Sequence, residues 1–310
     1  MKTVEIDQSP SLAALYLRVL LSSRKRPGAI EALPEVTYAR PHVVLDSTHI
    51  ANYSRICGFD KAHGVPITYP QLLAFPLLMA FFSSPDCPWP ALGTVHLANR
   101  IEQRKKLSPG DALRVEVSTG ELSAHERGQV FTLEIKILRE DTIVWEATQS
   151  LLRVGVKNPA GPAFAGEPNT ETPLSHQADF SVPGDIGRRY GRVSGDLNPI
   201  HLSAISAELF GFRRAIAHGM WTKARALAAM MPSEAVARQG AGLLWWEEGV
   251  ADPNLLETVQ PQFVATAEHQ SQARRAFDAL AVGFPECPTP SSLGYATWTR
   301  PDQLLILFDL

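Results

Sequence analysis

Residues 70–82, Pro-Gln-Leu-Leu-Ala-Phe-Pro-Leu-Leu-Met-Ala-Phe-Phe, are almost wholly apolar. A run of this length predicts a buried helix, kinked by Pro76. The pattern then changes period. Thr94–Ile101, Ala112–Ser118, Val130–Leu138 and Thr142–Val154 read as strands. In the third, Phe131, Leu133, Ile135 and Ile137 alternate with Thr132, Glu134 and Lys136, giving one apolar and one polar face. Ser108-Pro-Gly-Asp111 supplies a turn between two of them. One buried helix followed by antiparallel strands predicts an α+β unit, with the sheet wrapped around the helix.

The pattern repeats. Tyr53-Ser-Arg-Ile-Cys-Gly58 matches Tyr190-Gly-Arg-Val-Ser-Gly195 at an offset of 137, and Ile67-Thr-Tyr-Pro70 matches Ile216-Ala-His-Gly219 at an offset of 149. Glu146-Ala-Thr148 and Tyr295-Ala-Thr297 keep the second offset. The second copy therefore holds 12 more residues between its first two blocks. A repeat this long means duplication of a whole domain. Four prolines and no period mark residues 155–175 as a linker. The expected organisation is an N-terminal extension and first repeat over 1–155, a linker over 156–175, and a second repeat over 176–310. The copies differ over 243–290, which lacks the alternation of 94–141, before likeness resumes at Gly294-Tyr-Ala-Thr-Trp298. Divergence is one account and a compensated pair of frameshifts another. Leu293–Trp298 and Leu304–Phe308 read as strands.

Composition adds little. Apolar residues make up 45% of the 310-residue chain and charged residues 20%, enough to build cores for two domains. The net charge of −3 gives no pull toward nucleic acid or an anionic membrane. Leu12–Leu21 is apolar but broken by Arg18 and too short to span a bilayer; it reads as a surface helix. Cys57, Cys87 and Cys287 form no C-x-x-C pair, so a reducing, cytoplasmic compartment fits best and a thiolate metal site is not expected.

Chemistry concentrates in residues 190–231. Asn198 suits an N-cap and Pro199 a first helical position, so a helix is expected from about Pro199 to Gly211 with His201 in its first turn. Asp196 falls in the loop just before it. A carboxylate and an imidazole thus converge at one helix mouth. Downstream, His218-Gly219 precedes a strong helical pattern that ends at Pro232. Gly219 at that N-terminus would present an unpaired N–H at the positive end of the helix dipole, the geometry of an oxyanion hole. An isolated Asp-x-x-x-x-His is usually a helix cap with a solvated histidine. Joined to Gly195, Asn198-Pro199 and His218-Gly219, it reads as an acid–base pair. His218 alone reads as a structural hydrogen-bonder.

Gly195-Asp-Leu-Asn-Pro-Ile-His201, with Ala217-His-Gly-Met220 downstream, resembles the signature of (R)-specific enoyl-thioester hydratases and MaoC-like dehydratases. The resemblance implies a double hot-dog fold and reversible hydration of acyl thioesters. It implies catalytic roles for Asp196 and His201, with Asn198 supporting the loop and Gly219 binding the thioester oxygen. No redox cofactor and no metal is expected. The partners implied are an acyl-CoA or acyl-carrier-protein thioester, with no nucleic acid or membrane; a homodimer is compatible with the arrangement. A non-catalytic acyl-thioester binding subunit is the alternative, and a thioesterase on the same fold the third reading. In two-repeat members the first copy is usually silent, and here Phe59 stands where Asp196 does and Tyr69 where His218 does. The family often has Asp two positions after the catalytic histidine; this chain has Ser203.

Overall fold

The computed structural model describes residues 2–6, 16, 28–91, 93–165, 182–208, 213–230, 294–300 and 303–308. The chain divides into two compact units. The first comprises residues 1–45, 70–104 and 109–167; the second comprises 46–69, 105–108 and 168–310. Residues 46–69, expected in the first repeat, therefore cluster with residues 168–310.

In the first unit, strands β1 (Lys2–Glu5), β2 (Val36–Val44), β3 (Thr94–Gln103), β4 (Ala112–His125), β5 (Gly128–Arg139) and β6 (Thr142–Val154) accompany helix α2 (Gln71–Ser83). They lie in the order β1-β2-β4-β5-β6-β3. β1 pairs parallel with β2, and the other pairings are antiparallel. The alternation read in β5 is realised: Phe131, Leu133, Ile135 and Ile137 are fully buried, while Lys136 is exposed. Their cross-strand partners include Val117 on β4 and Ala147 on β6, both buried, so the apolar face is continuous. Helix α2 lies against β2 and β4. It buries Leu72, Leu73, Leu77, Leu78 and Phe81, leaving Phe75 and Pro76 on its less buried side. This is the helix-in-sheet architecture of the hot-dog fold, an α+β class. Residues 156–165 of the expected linker are not free: Phe164 donates its N–H to the Ala124 carbonyl, and Ala124 donates to Pro162.

The second unit holds α1 (Ser47–Cys57), α3 (Ile186–Ser194), a 3-10 turn at Pro199–His201, α4 (Ala204–Glu208), α5 (Gly219–Met230) and the hairpin of β7 (Gly294–Arg300) with β8 (Gln303–Phe308). α1 packs on α3 and α5, and α5 lies against β7. Tyr53, Tyr190, Trp221 and Leu227 form the buried centre. The strands expected at 293–298 and 304–308 are present. The expected surface helix at 12–21, the Gly211 stop and the divergent 243–290 segment lie outside the described residues, save Tyr16 within the first.

Candidate active site

Helix α3 ends at Gly195, whose φ of +78° turns the chain out of the helix. The next residues lock themselves. Asp196 donates its N–H to Ser194 Oγ at 3.2 Å, and one of its carboxylate oxygens accepts from the Asn198 N–H at 3.1 Å. Asn198 Oδ1 then accepts from the Ile200 N–H at 3.3 Å, the N-cap that the sequence indicated. The helix it starts is shorter than expected. Pro199–His201 make one 3-10 turn, and a separate helix begins at Ala204. The reason is a second cap: Ser203 Oγ accepts from the Ser206 N–H at 3.1 Å and lies 2.7 Å from Ser206 Oγ. Ser203 thus opens α4.

His201 is 9% exposed. Its Nδ1 lies 2.9 Å from the Ile216 carbonyl. A carbonyl can only accept, so Nδ1 carries the proton and Nε2 presents a lone pair. His218, 3% exposed, places Nε2 3.0 Å from the Asp196 backbone carbonyl and 3.7 Å from its carboxylate. Its Nδ1 is buried, with no hydrogen-bond partner among the described residues. The two imidazoles stack at 3.7 Å between centroids, with Tyr190 5.0 Å from His218 on another side. One donor atom from each of Asp196, His201 and His218 lies within 4.8 Å of the others. A single water can touch both the carboxylate and an imidazole at that spacing. The same spacing is within reach of a divalent ion, a set that sequence reasoning did not single out.

Burial depresses both histidines. Desolvation holds His201 below the usual imidazole range, against the opposing pull of Asp196 and the Ile216 carbonyl. His218 falls to about 4, first by burial and then because a charged His201 would sit against its ring. Both are therefore neutral at pH 7. The folded pKa lies below the unfolded one, so the unfolded chain binds more protons as pH falls through about 6.5. Stability should then decline as pH falls from about 6.5 toward 4. Thermal melts of His218→Gln, whose amide can donate from near the Nε2 position but does not titrate, should show a flatter dependence in that window. Equal slopes would remove His218 as the cause.

Gly219 is the first residue of α5, where its N–H has no intrahelical acceptor, and it is solvent-exposed. His218 is the capping residue, since its carbonyl accepts from the Thr222 N–H at 3.0 Å. All five residues singled out from sequence, Asp196, Asn198, His201, His218 and Gly219, therefore lie in one unit, with Asp196, His201 and His218 in immediate proximity. Sequence reasoning missed the Ile216 carbonyl, which fixes the His201 tautomer, and two glycines of α3. A Cβ at Gly187 would lie 1.9 Å from the His201 carbonyl oxygen, and one at Gly191 2.7 Å from that of Asp196. Glycines four apart inside a helix, each costing about 1 kcal/mol of propensity, were the available signal. Cys57 is buried and its thiol is pushed up to about 12 by burial, which makes it inert.

A carboxylate and a neutral imidazole within reach of one water, on an α+β hot-dog scaffold, fit the class of hydratases and dehydratases that act by acid–base chemistry. Residues 166–242 match the MaoC-like domain. The chain is 33% identical over 201 residues to 3-hydroxyacyl-thioester dehydratase X of Mycobacterium tuberculosis, spanning 64% of this chain and 71% of that protein. The crystal structure of HtdX from M. tuberculosis superposes with a TM-score of 0.52 at 30% identity, covering 65% of this chain and 77% of that one. A second HtdX structure gives 0.50 at 31% identity, with 64% and 78% covered. This chain belongs to the MaoC-like dehydratase family.

Proposed function

We propose that this chain interconverts trans-2-enoyl and (R)-3-hydroxyacyl thioesters, with Asp196 and His201 as its acid–base pair. The observation that carries the reading is the His201 tautomer beside a carboxylate: Nδ1 is committed to Ile216, which leaves the Nε2 lone pair as the base, and the His201 ring has a nitrogen within 4.8 Å of an Asp196 carboxylate oxygen. A water held by the pair adds its oxygen to C3 while one proton passes to the pair. The electron pair of the C2–C3 double bond moves toward the thioester carbonyl, whose oxygen gathers charge and takes the Gly219 N–H. A proton from the pair then goes to C2, and the carbonyl re-forms. Dehydration is the reverse. The Gly219 donor contributes roughly two to three orders of magnitude, as single oxyanion-hole donors do. Asn198 holds the loop, and His218 bridges it by donating to the Asp196 carbonyl.

Residues 1–155 are proposed as the catalytically silent repeat, 156–175 as the linker and 176–310 as the working repeat. Phe59, in the position of Asp196, is buried and stacked on Tyr53 at 6.4 Å, which supports a packing role. The acyl group arrives on CoA or an acyl carrier protein. The reading includes a cytoplasmic enzyme, supported by cysteines that form no C-x-x-C pair. Among the described residues no helix is long and apolar enough to cross a membrane.

Loss of enoyl-thioester absorbance on crotonyl-CoA and longer enoyl-CoAs tests the assignment. Turnover with retention of the thioester is the expected result. Release of free thiol would indicate a thioesterase instead, and binding without either change would indicate a non-catalytic binding subunit.

A further inference from the structure

The first repeat lacks an acid–base pair, yet one of its side chains, backed by a second, reaches the end of the helix that leads into the loop carrying one. Val193 lies in the last turn of α3, where carbonyls run out of intrahelical donors. His49 on α1 fills that vacancy, with Nε2 2.9 Å from the Val193 carbonyl. Since the carbonyl only accepts, Nε2 carries the proton and Nδ1 is an acceptor. The Tyr69 hydroxyl lies 2.9 Å from Nδ1 and donates to it. Tyr69 is 1% exposed, and burial raises its hydroxyl above the usual tyrosine range, so it stays a donor. The chain Tyr69 O–H, His49, Val193 carbonyl is fully satisfied and has one polarity. It ends three residues before Asp196.

The duplication supplies an internal comparison. Ile56 is the equivalent of Val193 at the offset of 137. Its carbonyl, at the end of α1, accepts from Trp221 Nε1 at 3.0 Å. Each repeat thus ties down the same carbonyl of the other with a ring N–H. After Ile56 the tied segment leads to Phe59. After Val193 it leads to Asp196.

We propose that His49 and Tyr69, both supplied by the silent repeat, are positioning residues that hold the end of α3 and so fix the Asp196 loop. The proposal rests on Asp196 belonging to the acid–base pair. It gives the first repeat a part in turnover without chemistry of its own.

The test uses the full chain. His49→Phe keeps a half-buried ring but removes the donor, and kcat should fall about tenfold with KM within about twofold, as expected for a slightly misplaced catalytic group. His49→Gln puts an amide N–H where Nε2 was and should recover kcat to within about twofold of the original. Tyr69→Phe should fall between the two. Amide exchange at Asp196–Asn198 should quicken in His49→Phe and return to normal in His49→Gln. A folded His49→Phe protein with unchanged kcat and exchange would overturn the proposal. So would His49→Gln as slow as His49→Phe, since donation to Val193 would then not be what matters. If the unaltered chain fails to hydrate enoyl thioesters, the functional reading falls, while exchange still decides whether the brace exists.

Discussion

Asp196→Asn and His201→Asn are each expected to lower kcat by about two to four orders of magnitude, about 3–5 kcal/mol of transition-state stabilisation. Both substitutions are chosen to spare the local geometry. An asparagine at 196 can still accept the Asn198 N–H through its amide oxygen, so the turn survives and only the ionised carboxylate is lost. An asparagine at 201 places an amide N–H near the Nδ1 position and can keep the Ile216 carbonyl, while the Nε2 lone pair disappears. His201→Ala removes both and should cost stability as well as rate. Far-ultraviolet circular dichroism and thermal melts establish folding, and loss of enoyl-thioester absorbance gives kcat. Unaltered rates in folded Asp196→Asn and His201→Asn proteins would dismiss the pair. A further expectation follows from charge. Asp196 favours the protonated state of His201, so its removal should move any imidazole-dependent limb of the pH–rate profile to lower pH.

Legibility followed the strength of each local signal. Val130–Leu138 could be read because one face is buried and the other is not, which enforces a period of two. Gln71–Ser83 could be read because its length and apolar content suit little else. Val36–Val44 was missed, since Arg40-Pro41-His42 interrupts its alternation. The structure absorbs that interruption in a register shift between Arg40 and Val43, a place where a proline's missing N–H does no harm. Helix α1, Ser-Thr-His-Ile-Ala-Asn-Tyr-Ser-Arg-Ile-Cys, has modest propensity throughout. It is fixed instead by the Asp46 cap and by burial of Ile50, Tyr53 and Cys57. At the site, Asp196, Asn198 and His201 were legible because capping chemistry is local. The helix after Pro199 was read too long because two caps, Asn198 and Ser203, follow in quick succession and the second takes over. The Ile216 anchor, the His49 brace and the depressed histidines were not legible. Each depends on a contact from a distant part of the chain.

Gly187→Ala is expected to destabilise the protein and cut kcat together, reversing the usual sign of a glycine-to-alanine change in a helix. Elsewhere in a helix the added methyl stabilises by about 1 kcal/mol. Here Gly187 lies inside α3, and its Cβ would fall 1.9 Å from the His201 carbonyl oxygen and 2.8 Å from the carbonyl carbon. Those are backbone atoms, so no rotamer change relieves the overlap. The loop must lift off the helix or α3 must shift, at about 1–3 kcal/mol, the range for overpacking a close contact. Lifting the loop by about 1 Å displaces His201 from Asp196 and should cost about a hundredfold in kcat. Gly191→Ala meets the Asp196 carbonyl at the longer distance of 2.7 Å and should show the same pair of effects in weaker form. Gly184→Ala adds a methyl with nothing within 4 Å and should leave rate and melting temperature close to the original. Thermal melts and kcat on the three variants give the ordering directly. A Gly187→Ala protein that melts higher and turns over normally would mean that the loop does not rest on α3 in solution.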